Sequence, residues 1–367
     1  MLEYCTGLYQ DKTVKRFIDS YQMILKQMLA EEMFLKDISA VTVSEEYRLK
    51  KGFNNTEVFF FFFTCVHQLF QRRVLESPDQ TAVVACDQTL SYGQLNRQAN
   101  RIAHSLLEKG VQTGDLIAFA LPRESYLIAV IFGILKAGAA YMPVDMDYPQ
   151  ARVEYMLSES KAKMFITKET VEELLDNEKI NNPDIKLSGK DICYCIFTSG
   201  STGNPKGILI SHSSVVNFVH DNRVNAFQNS ILKNCDYFIA SNSISFDIVL
   251  QEIHLPLLNG RSVLLLSDKQ MYDIETAAGM WKDRRCGLII TPTKLQVYMS
   301  NDNFCRHMKY IRVIMCGAEV LPEKLVRKIR GYTDAVIFNG YGPTETTCGV
   351  LYSKVDDETH IAIGKPT

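Results

Sequence analysis

The chain has 367 residues, a formal net charge of −2 and ten cysteines. This length suffices for one large hydrophobic core or two modest ones, and the near-balanced charge offers no electrostatic basis for binding nucleic acid or an anionic membrane. The cysteines are scattered without a C-x-x-C pair, no apolar stretch reaches transmembrane length, and the amino terminus lacks an export signal. We therefore expect a cytoplasmic protein with reduced thiols and without membrane or nucleic-acid partners.

The amino-terminal part differs in character from the rest of the chain. Apolar residues recur at helical spacing between Lys12 and Met33, which predicts a helix, and residues 36–55 are mostly polar. Five consecutive phenylalanines, Phe59 to Phe63, follow. The run is too short to span a membrane, so we interpret it as linker aromatics packed on a neighbouring domain, with a membrane-touching element as the alternative. We assign residues 56–77 to an aromatic-rich linker and entry helix.

From Val66 onward, short apolar strands alternate with helices. Helices are predicted over residues 66–75, 92–109, 125–137, 150–160 and 248–258. Strands are predicted over residues 81–84, 116–120, 140–143, 163–166, 192–197, 208–210, 237–240, 262–266, 288–290 and 313–315. This alternation predicts an α/β fold of mostly parallel sheets flanked by helices.

A loop of hydroxyls, glycines and one lysine separates two of these strands. It reads Thr198-Ser199-Gly200-Ser201-Thr202-Gly203-Asn204-Pro205-Lys206-Gly207. Glycines let backbone N–H groups approach an anion closely, and the hydroxyls and Lys206 add donors and positive charge. The loop is not a Walker loop, because its lysine does not directly follow the second glycine. A mobile turn is the alternative, but the ordered choice of residues favours phosphate binding.

This loop closely resembles the signature of adenylate-forming enzymes, and four further segments narrow the resemblance to adenylation domains of nonribosomal peptide synthetases. These segments occur in the family's order, at residues 90–95, 135–145, 246–247 and 339–347. The resemblance covers residues 78–367 and implies the large N-terminal subdomain of the adenylate-forming fold, with two sheet systems. Residues 1–55 more weakly resemble the tail of a condensation domain and its exit.

The resemblance also carries an expectation about the carboxyl end. The chain ends at Ile363-Gly364-Lys365-Pro366-Thr367, a segment that opens the last part of the family's large subdomain. The sequence has no counterpart of the ribose-binding aspartate, the C-terminal subdomain with its catalytic lysine, or a carrier-domain serine. We therefore expect a fold that is incomplete at the carboxyl end and an isolated chain whose adenylation activity is severely impaired.

The resemblance implies attack of a carboxylate on the α-phosphorus of Mg-ATP, which yields an acyl-adenylate and pyrophosphate. Glu345 matches the family's magnesium-binding glutamate, and Thr344 matches the contact to the α-phosphate. The residues that match phosphate contacts are Thr198, Ser199, Gly200, Ser201, Thr202, Gly203 and Lys206. Those that match adenine contacts are Gly317, Ala318, Glu319, Asn339, Gly340 and Tyr341. Taken alone, Gly340 to Pro343 could be an ordinary turn and Glu345 a solvated carboxylate at a helix start.

Asp247 is the main indication of the substrate. It matches the aspartate that pairs with the substrate α-ammonium in the peptide-synthetase branch, and a helix N-cap is the alternative interpretation. The positions matched to the side-chain pocket are Ile248, Gln251, Ile289, Ile314, Cys316, Gly340, Cys348 and Gly349. This wall carries one amide and no charge, so we expect a neutral amino acid, since an unpaired buried charge would cost several kcal/mol. Gln251 beside an aliphatic residue resembles proline-type pockets.

Three functional interpretations remain open at this point. The first is amino-acid activation within a peptide synthetase, with ATP and Mg²⁺ as cofactors. Its partners would be neighbouring condensation and carrier domains, the latter bearing phosphopantetheine. The second is an acyl- or aryl-acid coenzyme A ligase of the same superfamily, and the third is a catalytically incomplete binding fragment. No histidine pair indicates a zinc site; His67, His104 and His254 are interpreted as structural, whereas His212 is placed by position at the nucleotide cleft.

Overall fold

The computed structural model describes residues 3–29, 34–57, 64–199, 205–219, 225–357 and 359–366. The chain divides into two compact units, residues 1–57 and residues 58–365. The run Phe59 to Phe63 and the centre of the predicted phosphate loop, Gly200 to Asn204, lie outside the described residues.

The first unit is helical. Its elements are α1 (Asp11–Met28), a 3₁₀ turn (Leu35–Asp37), α2 (Val43–Tyr47) and a π-helical turn (Arg48–Gly52). The helix expected from Lys12 is confirmed as far as Met28; Leu29 caps it, and residues 30–33 of the predicted segment lie outside the described part of the chain.

The second unit alternates helices and strands. Its α-helices are α3 (Val66–Glu76), α4 (Tyr92–Glu108), α5 (Tyr126–Lys136), α6 (Gln150–Ser160), α7 (Lys168–Leu175), α8 (His212–Val219), α9 (Ala226–Asn234), α10 (Leu255–Leu258), α11 (Asp268–Tyr272), α12 (Ile274–Ala277), α13 (Pro292–Tyr298), α14 (Asp302–His307) and α15 (Glu323–Arg330). Shorter turns are a π-helical turn (Leu250–His254) and 3₁₀ turns (Ala278–Trp281, Met308–Tyr310 and Thr344–Thr346).

Its strands form two sheets. The strands are β1 (Thr81–Val84), β2 (Thr89–Ser91), β3 (Leu116–Phe119), β4 (Ala140–Pro143), β5 (Met164–Ile166), β6 (Ile192–Ser199), β7 (Pro205–Ser211), β8 (Tyr237–Ala240), β9 (Ser262–Leu265), β10 (Cys286–Ile290), β11 (Ile311–Gly317), β12 (Val336–Tyr341), β13 (Leu351–Lys354) and β14 (Lys365–Pro366). A nine-stranded sheet has the order β14-β13-β12-β11-β10-β8-β9-β1-β2, and a five-stranded sheet has the order β5-β3-β4-β6-β7.

Most of the described strand pairs are parallel, as predicted. The antiparallel pairs are β1 with β2, β6 with β7 and β12 with β13, each at a sheet edge or next to one. Helix α5 explains how both sheets are covered: its residues 127–136 are all buried, and it belongs to the same hydrophobic core as residues of both sheets, including Tyr141 and Phe238. A second core on the nine-stranded sheet surrounds the buried Trp281. This mixed α/β architecture confirms the predicted fold class.

Local sequence explains where several elements begin and end. Helix α4 begins at a capping box, because the Ser91 hydroxyl accepts from the Gln94 backbone N–H at 3.2 Å and the Gln94 side chain accepts from the Ser91 N–H at 2.8 Å. The helix predicted over residues 248–258 differs from the prediction: it is a π-helical turn over Leu250–His254 followed by α10. Single-turn π-helices often occur at functional sites.

A buried arginine links the two sheets. Arg123 follows β3 of the five-stranded sheet and is 3% exposed. Its Nε, Nη1 and Nη2 donate to the carbonyl oxygens of Leu266, Asn242 and Ala240, each at 2.7 Å. These acceptors lie at the ends of β8 and β9 in the nine-stranded sheet or directly after them. The side chain therefore fixes the carboxyl ends of strands from both sheets.

Three buried histidines predict a loss of stability in acid. Burial lowers the pKa of His67 and of His254 to about 3 and that of His212 to about 4, from an ordinary value of 6.5. The unfolded chain therefore takes up protons below pH 6.5 that the folded chain does not bind. We expect the free energy of unfolding to fall as the pH falls from 6.5 towards about 4, by up to roughly 1.4 kcal/mol per pH unit for each histidine.

Urea unfolding at pH 7.5, 6.5 and 5.5 measures this slope. A His67→Gln variant should have a shallower slope, because it lacks one of the three buried imidazoles. Equal slopes for His67→Gln and the unsubstituted protein would contradict the assignment.

The predicted placement of His212 at the nucleotide cleft is wrong. His212 is 1% exposed, and its Nδ1 accepts from the Val66 N–H at 3.3 Å.

Candidate active site

Four neighbouring strands of the nine-stranded sheet end at one edge. Strands β8, β10, β11 and β12 are mutually parallel, so their carboxyl ends meet there. In open α/β sheets, ligands bind outside the carboxyl ends of the strands. Two adjoining cavities lie at this edge and share Ala318, Gly340, Tyr341 and Gly342 as a common wall.

The smaller cavity has a volume of about 50 Å³. Its lining residues are Asp247, Ile248, Gln251, Met315, Gly317, Ala318, Gly340, Tyr341, Gly342, Cys348, Gly349 and Tyr352. The structure therefore brings together Asp247 and five of the eight positions matched to the side-chain pocket: Ile248, Gln251, Gly340, Cys348 and Gly349. Among the described residues of this lining, Asp247 has the only charged side chain.

Three matched positions do not line this cavity. Ile314 and Cys316 are fully buried in the second hydrophobic core, on the other face of the sheet, because successive residues of a strand point to opposite faces. Met315 takes the place expected for them. Ile289 lies in the core on the cavity side, where its carbonyl oxygen accepts from the Asn242 side chain at 2.8 Å, but it is not part of the lining.

The Asp247 carboxylate is set up to receive a cation. Burial raises the pKa of Asp247, an effect opposed in part by a hydrogen bond from the Thr344 hydroxyl. Its Oδ2 is buried and has no hydrogen-bond partner among the described residues. The cap of the following π-helical turn is Val249, without a side-chain cap hydrogen bond. This geometry does not favour the helix-cap alternative and leaves a buried anionic oxygen at the cavity.

The larger cavity has a volume of about 490 Å³. It is lined by Ala318, Glu319, Val320, Leu321, Asn339, Gly340, Tyr341, Gly342, Pro343, Ile361 and Ile363. Five of the six residues matched to adenine contacts are therefore here, and the sixth, Gly317, lines the smaller cavity. The Tyr341 ring is 51% exposed and available for stacking, whereas the Asn339 amide donates to the Ala362 carbonyl oxygen at 2.8 Å. The Glu319 carboxylate accepts from the Thr293 hydroxyl at 2.6 Å.

Unusual backbone conformations cluster around these cavities. Among the described non-glycine residues with positive φ are Ala318 (66°), Thr347 (67°) and Cys348 (74°), all at or beside the cavities. A Cβ on Gly342 would lie 2.3 Å from the Cys348 carbonyl oxygen, so only glycine fits there. Such strain persists where surrounding contacts over-determine the backbone, and it is concentrated at functional sites.

The phosphate-loop hairpin reaches the same edge of the molecule. Strands β6 and β7 pair through Thr198 with Lys206, so the predicted strand–loop–strand is confirmed on both sides of the undescribed centre. The strands extend further than predicted and include Ser199, Pro205 and Lys206. Strand β7 also contacts the 3₁₀ turn Thr344–Thr346, which carries Glu345. Gly200, Ser201, Thr202 and Gly203 lie outside the described residues.

Glu345 is suited to a magnesium site in which most of the ligands come from substrate phosphates and water. Its carboxylate is exposed and forms no hydrogen bond or ion pair with the other residues that the structure describes. Within that part of the chain, no group of three or more His, Cys, Asp or Glu side chains could hold a metal by itself. Magnesium is commonly held by one or two carboxylates together with substrate phosphates and water. A lone free carboxylate beside the phosphate-loop hairpin is compatible with that arrangement.

Comparison with known proteins agrees with this geometry. The family model described as "AMP-binding enzyme" matches residues 70–367. Bacitracin synthase 1 of Bacillus licheniformis is 34% identical over 387 residues, which cover 100% of this chain and 7% of that protein. Tyrocidine synthase 3 of Brevibacillus parabrevis is 30% identical over 386 residues, which cover 100% of this chain and 6% of that protein. The chain thus spans a small part of the length of these relatives.

Solved structures confirm the fold. The nonribosomal peptide synthetase FmoA3 in its form bound to α-methyl-L-serine-AMP has a TM-score of 0.84 at 24% identity, covering 99% of this chain and 43% of that one. The N-terminal subdomain of Klebsiella oxytoca NpsA in complex with 3-hydroxyanthranilyl-AMSN has a TM-score of 0.73 at 21% identity, covering 83% and 78%. Across the described residues, no helix is both long and apolar enough to cross a membrane.

Proposed function

Because the chain belongs to the family of AMP-binding enzymes, we propose that it activates a neutral amino acid as an aminoacyl-adenylate within a nonribosomal peptide synthetase. In this reaction, a carboxylate oxygen of the amino acid forms a bond to the α-phosphorus of ATP. The bond from that phosphorus to the oxygen bridging it to the β-phosphorus breaks, and pyrophosphate leaves. Positioning and electrostatic stabilisation carry most of the rate enhancement in such a displacement.

The observation that carries this proposal is the unpartnered carboxylate oxygen of Asp247. Asp247 Oδ2 has no hydrogen-bond partner in the part of the chain that the structure describes. Asp247 lines a small cavity whose other described lining residues are uncharged, and this cavity adjoins a larger one with an exposed tyrosine. An amino acid brings an ammonium group, which satisfies the buried anion through a charge-assisted hydrogen bond. An aryl or fatty acid brings no such cation and would leave Asp247 unpaired at a cost.

The residues of the larger cavity are assigned to the nucleotide. Tyr341 offers a ring face to the adenine, and Ala318 and Gly340 present little side-chain bulk, so a flat base can lie close to the backbone. Asn339 lies at the same wall. Thr198 and Lys206, at the two ends of the hairpin, would bind phosphate oxygens together with the undescribed centre of the loop. These residues hold and orient the nucleotide so that its α-phosphorus faces the amino-acid carboxylate.

Thr344 and Glu345 lie on the 3₁₀ turn that directly follows the cavity residues Gly342 and Pro343 in the chain. Thr344 lies close enough to Asp247 to oppose the rise in the pKa of that carboxyl, and we assign its hydroxyl to the α-phosphate. Glu345 is the residue that would hold magnesium, and the bound ion would supply positive charge to neutralise phosphate oxygens. Because residues 1–55 resemble the tail of a condensation domain, we further propose a condensation domain as a partner. The proposed function itself implies a phosphopantetheine-bearing carrier domain as the second partner.

We expect a screen of the proteinogenic amino acids by amino-acid-dependent pyrophosphate exchange to give its strongest signal with an uncharged side chain. The described residues of the cavity lining hold no charge other than Asp247, and an unpaired ionic side chain would cost several kcal/mol. A preference for Lys, Arg, Asp or Glu would contradict the assignment of the cavity. Exchange driven by aryl or fatty acids, with none driven by amino acids, would favour an acyl- or aryl-acid ligase instead.

A further inference from the structure

A tyrosine outside all of the recognised segments forms the floor of the smaller cavity. Tyr352 lies on β13 directly opposite Gly340 of β12 and is 6% exposed. Its ring stacks on Phe227 of α9, with ring centroids 4.9 Å apart and an interplanar angle of 18°. This contact fixes the ring in one position beneath the cavity.

Two glycines make room for this ring. A Cβ on Gly349 would lie 2.1 Å from the Tyr352 hydroxyl oxygen, and a Cβ on Gly340 would lie 3.0 Å from Tyr352 Cε1. The same Cβ on Gly340 would also lie 3.0 Å from the sulfur of Met315. Tyr352 and Met315 therefore occupy the space that side chains at positions 340 and 349 would need. As a result, the cavity is shallow.

The floor is polar and incompletely hydrogen-bonded. Gln251, which is 2% exposed, donates through Nε2 to the Tyr352 hydroxyl and to the Cys348 sulfur, each at 3.1 Å. Its Oε1 is buried and has no partner within the described part of the chain. The Tyr352 hydroxyl accepts the bond from Gln251, and its own hydrogen has no acceptor among the described residues. Two residues that line the cavity thus retain one acceptor oxygen and one donor hydrogen without a partner among the described residues.

On the basis of the proposed function, we infer that Tyr352 and Gln251 together select an amino acid with a short, hydroxyl-bearing side chain. A hydroxyl can donate to Gln251 Oε1 and accept from the Tyr352 hydroxyl at the same time. A volume of about 50 Å³ holds only a few water-sized groups, since one water needs roughly 10–15 Å³ on this measure. Tyr352 is therefore a specificity-determining residue, and Asp247 anchors the other end of the substrate.

Side chains of similar size without a hydroxyl are disfavoured for a definite reason. An alanine, valine or proline substrate would bury the Gln251 oxygen and the Tyr352 hydroxyl without giving either a partner. Sites that hydrogen-bond a substrate hydroxyl discriminate strongly against analogues that lack it, because the polar groups of the site are left unpaired. Longer side chains meet the Tyr352 ring.

The test uses non-hydrolysable aminoacyl-sulfamoyl adenosines and isothermal titration calorimetry with the whole chain. The threonyl and valyl analogues differ by a hydroxyl in place of a methyl group. We expect the threonyl analogue to bind about tenfold or more tightly. In Tyr352→Phe, which keeps the ring and its stacking on Phe227, this ratio should fall to about twofold or less. In the exposed control Tyr332→Phe, it should stay unchanged.

The outcomes distinguish a wrong role for Tyr352 from a wrong proposed function. If the unsubstituted protein binds the valyl analogue as tightly as the threonyl analogue, or if Tyr352→Phe keeps the ratio, the inference about Tyr352 is wrong while the proposed function stands. If no aminoacyl analogue binds but an aryl or fatty acyl analogue does, the proposed function and this inference both fail. A Tyr352→Ala variant that gains affinity for the leucyl analogue supports the assignment of the ring as the floor.

Discussion

Replacing Asp247 by alanine is expected to lower amino-acid-dependent pyrophosphate exchange by about two to three orders of magnitude, equivalent to roughly 3–4 kcal/mol. The substrate ammonium would then lose its counter-charge in a buried site where Asp247 is the only charged lining side chain. Exchange rates and the affinity for an aminoacyl-sulfamoyl adenosine should fall together, whereas the affinity for AMP should change little.

Two comparisons sharpen this test. Asp247→Asn keeps the shape without the charge and should lose nearly as much, whereas the exposed Asp184 replaced by alanine should lose nothing. Since burial raises the pKa of Asp247, its carboxylate is protonated at higher pH than an exposed aspartate. Amino-acid affinity should therefore fall as the pH falls through this raised pKa, and Asp247→Asn should lack that dependence. Full exchange activity in Asp247→Ala would remove the residue from the substrate site.

Arg123→Met is expected to lower the free energy of unfolding by about 3–5 kcal/mol. Methionine retains much of the apolar stem but removes all three bonds to the carbonyl oxygens of Leu266, Asn242 and Ala240. It also removes a positive charge near the buried Glu252. Burial raises the pKa of Glu252, and the charge of Arg123 opposes that rise. Urea unfolding followed by tryptophan fluorescence is a suitable measurement, because the single Trp281 is fully buried.

Matched substitutions separate this effect from a general loss of arginine. Arg123→Lys keeps the charge but has one nitrogen for three acceptors, so we expect an intermediate loss. The exposed Arg306 replaced by methionine should change the free energy of unfolding by less than about 0.5 kcal/mol. A loss below about 1 kcal/mol in Arg123→Met would show that the link between the two sheets contributes little.

The sequence predicted the α/β alternation of the second unit, helices α3 to α6 and strands β1 and β3 to β11, because these strands are short apolar runs. It did not predict helices α7 to α9 and α11 to α15, or strands β2 and β12 to β14. Capping at Ser91 and the uninterrupted apolar stretch of α5 are examples of local chemistry that determines an element. The π-helical turn Leu250–His254 was not predictable in this way. All five of its residues are buried, so the hydrophobic pattern does not distinguish a π-helical from an α-helical turn.

The candidate site was predictable where residues belong to a recognisable segment or, like Ile248, Gln251, Cys348 and Gly349, were matched by their distance in the chain from one. Asp247, Asn339 and Tyr341 do, and the structure places all three at the two cavities. Met315 and Tyr352 do not. Their presence depends on which face of β11 is turned to the cavity and on the pairing of β13 with β12, and both are properties of the assembled sheet. The one available signal was the alternation of β11, in which Met315 shares a face with Gly317.

The wall common to the two cavities limits which positions can change substrate preference without changing nucleotide binding. Ala318, Gly340, Tyr341 and Gly342 face both the amino-acid and the nucleotide side. A mutation in this wall would alter two affinities at once, so natural drift or directed evolution should find few neutral changes there. Gln251 and Tyr352 line the smaller cavity but not the larger one. New substrate preferences should therefore be reached most readily through those two positions, with use of ATP retained along the way.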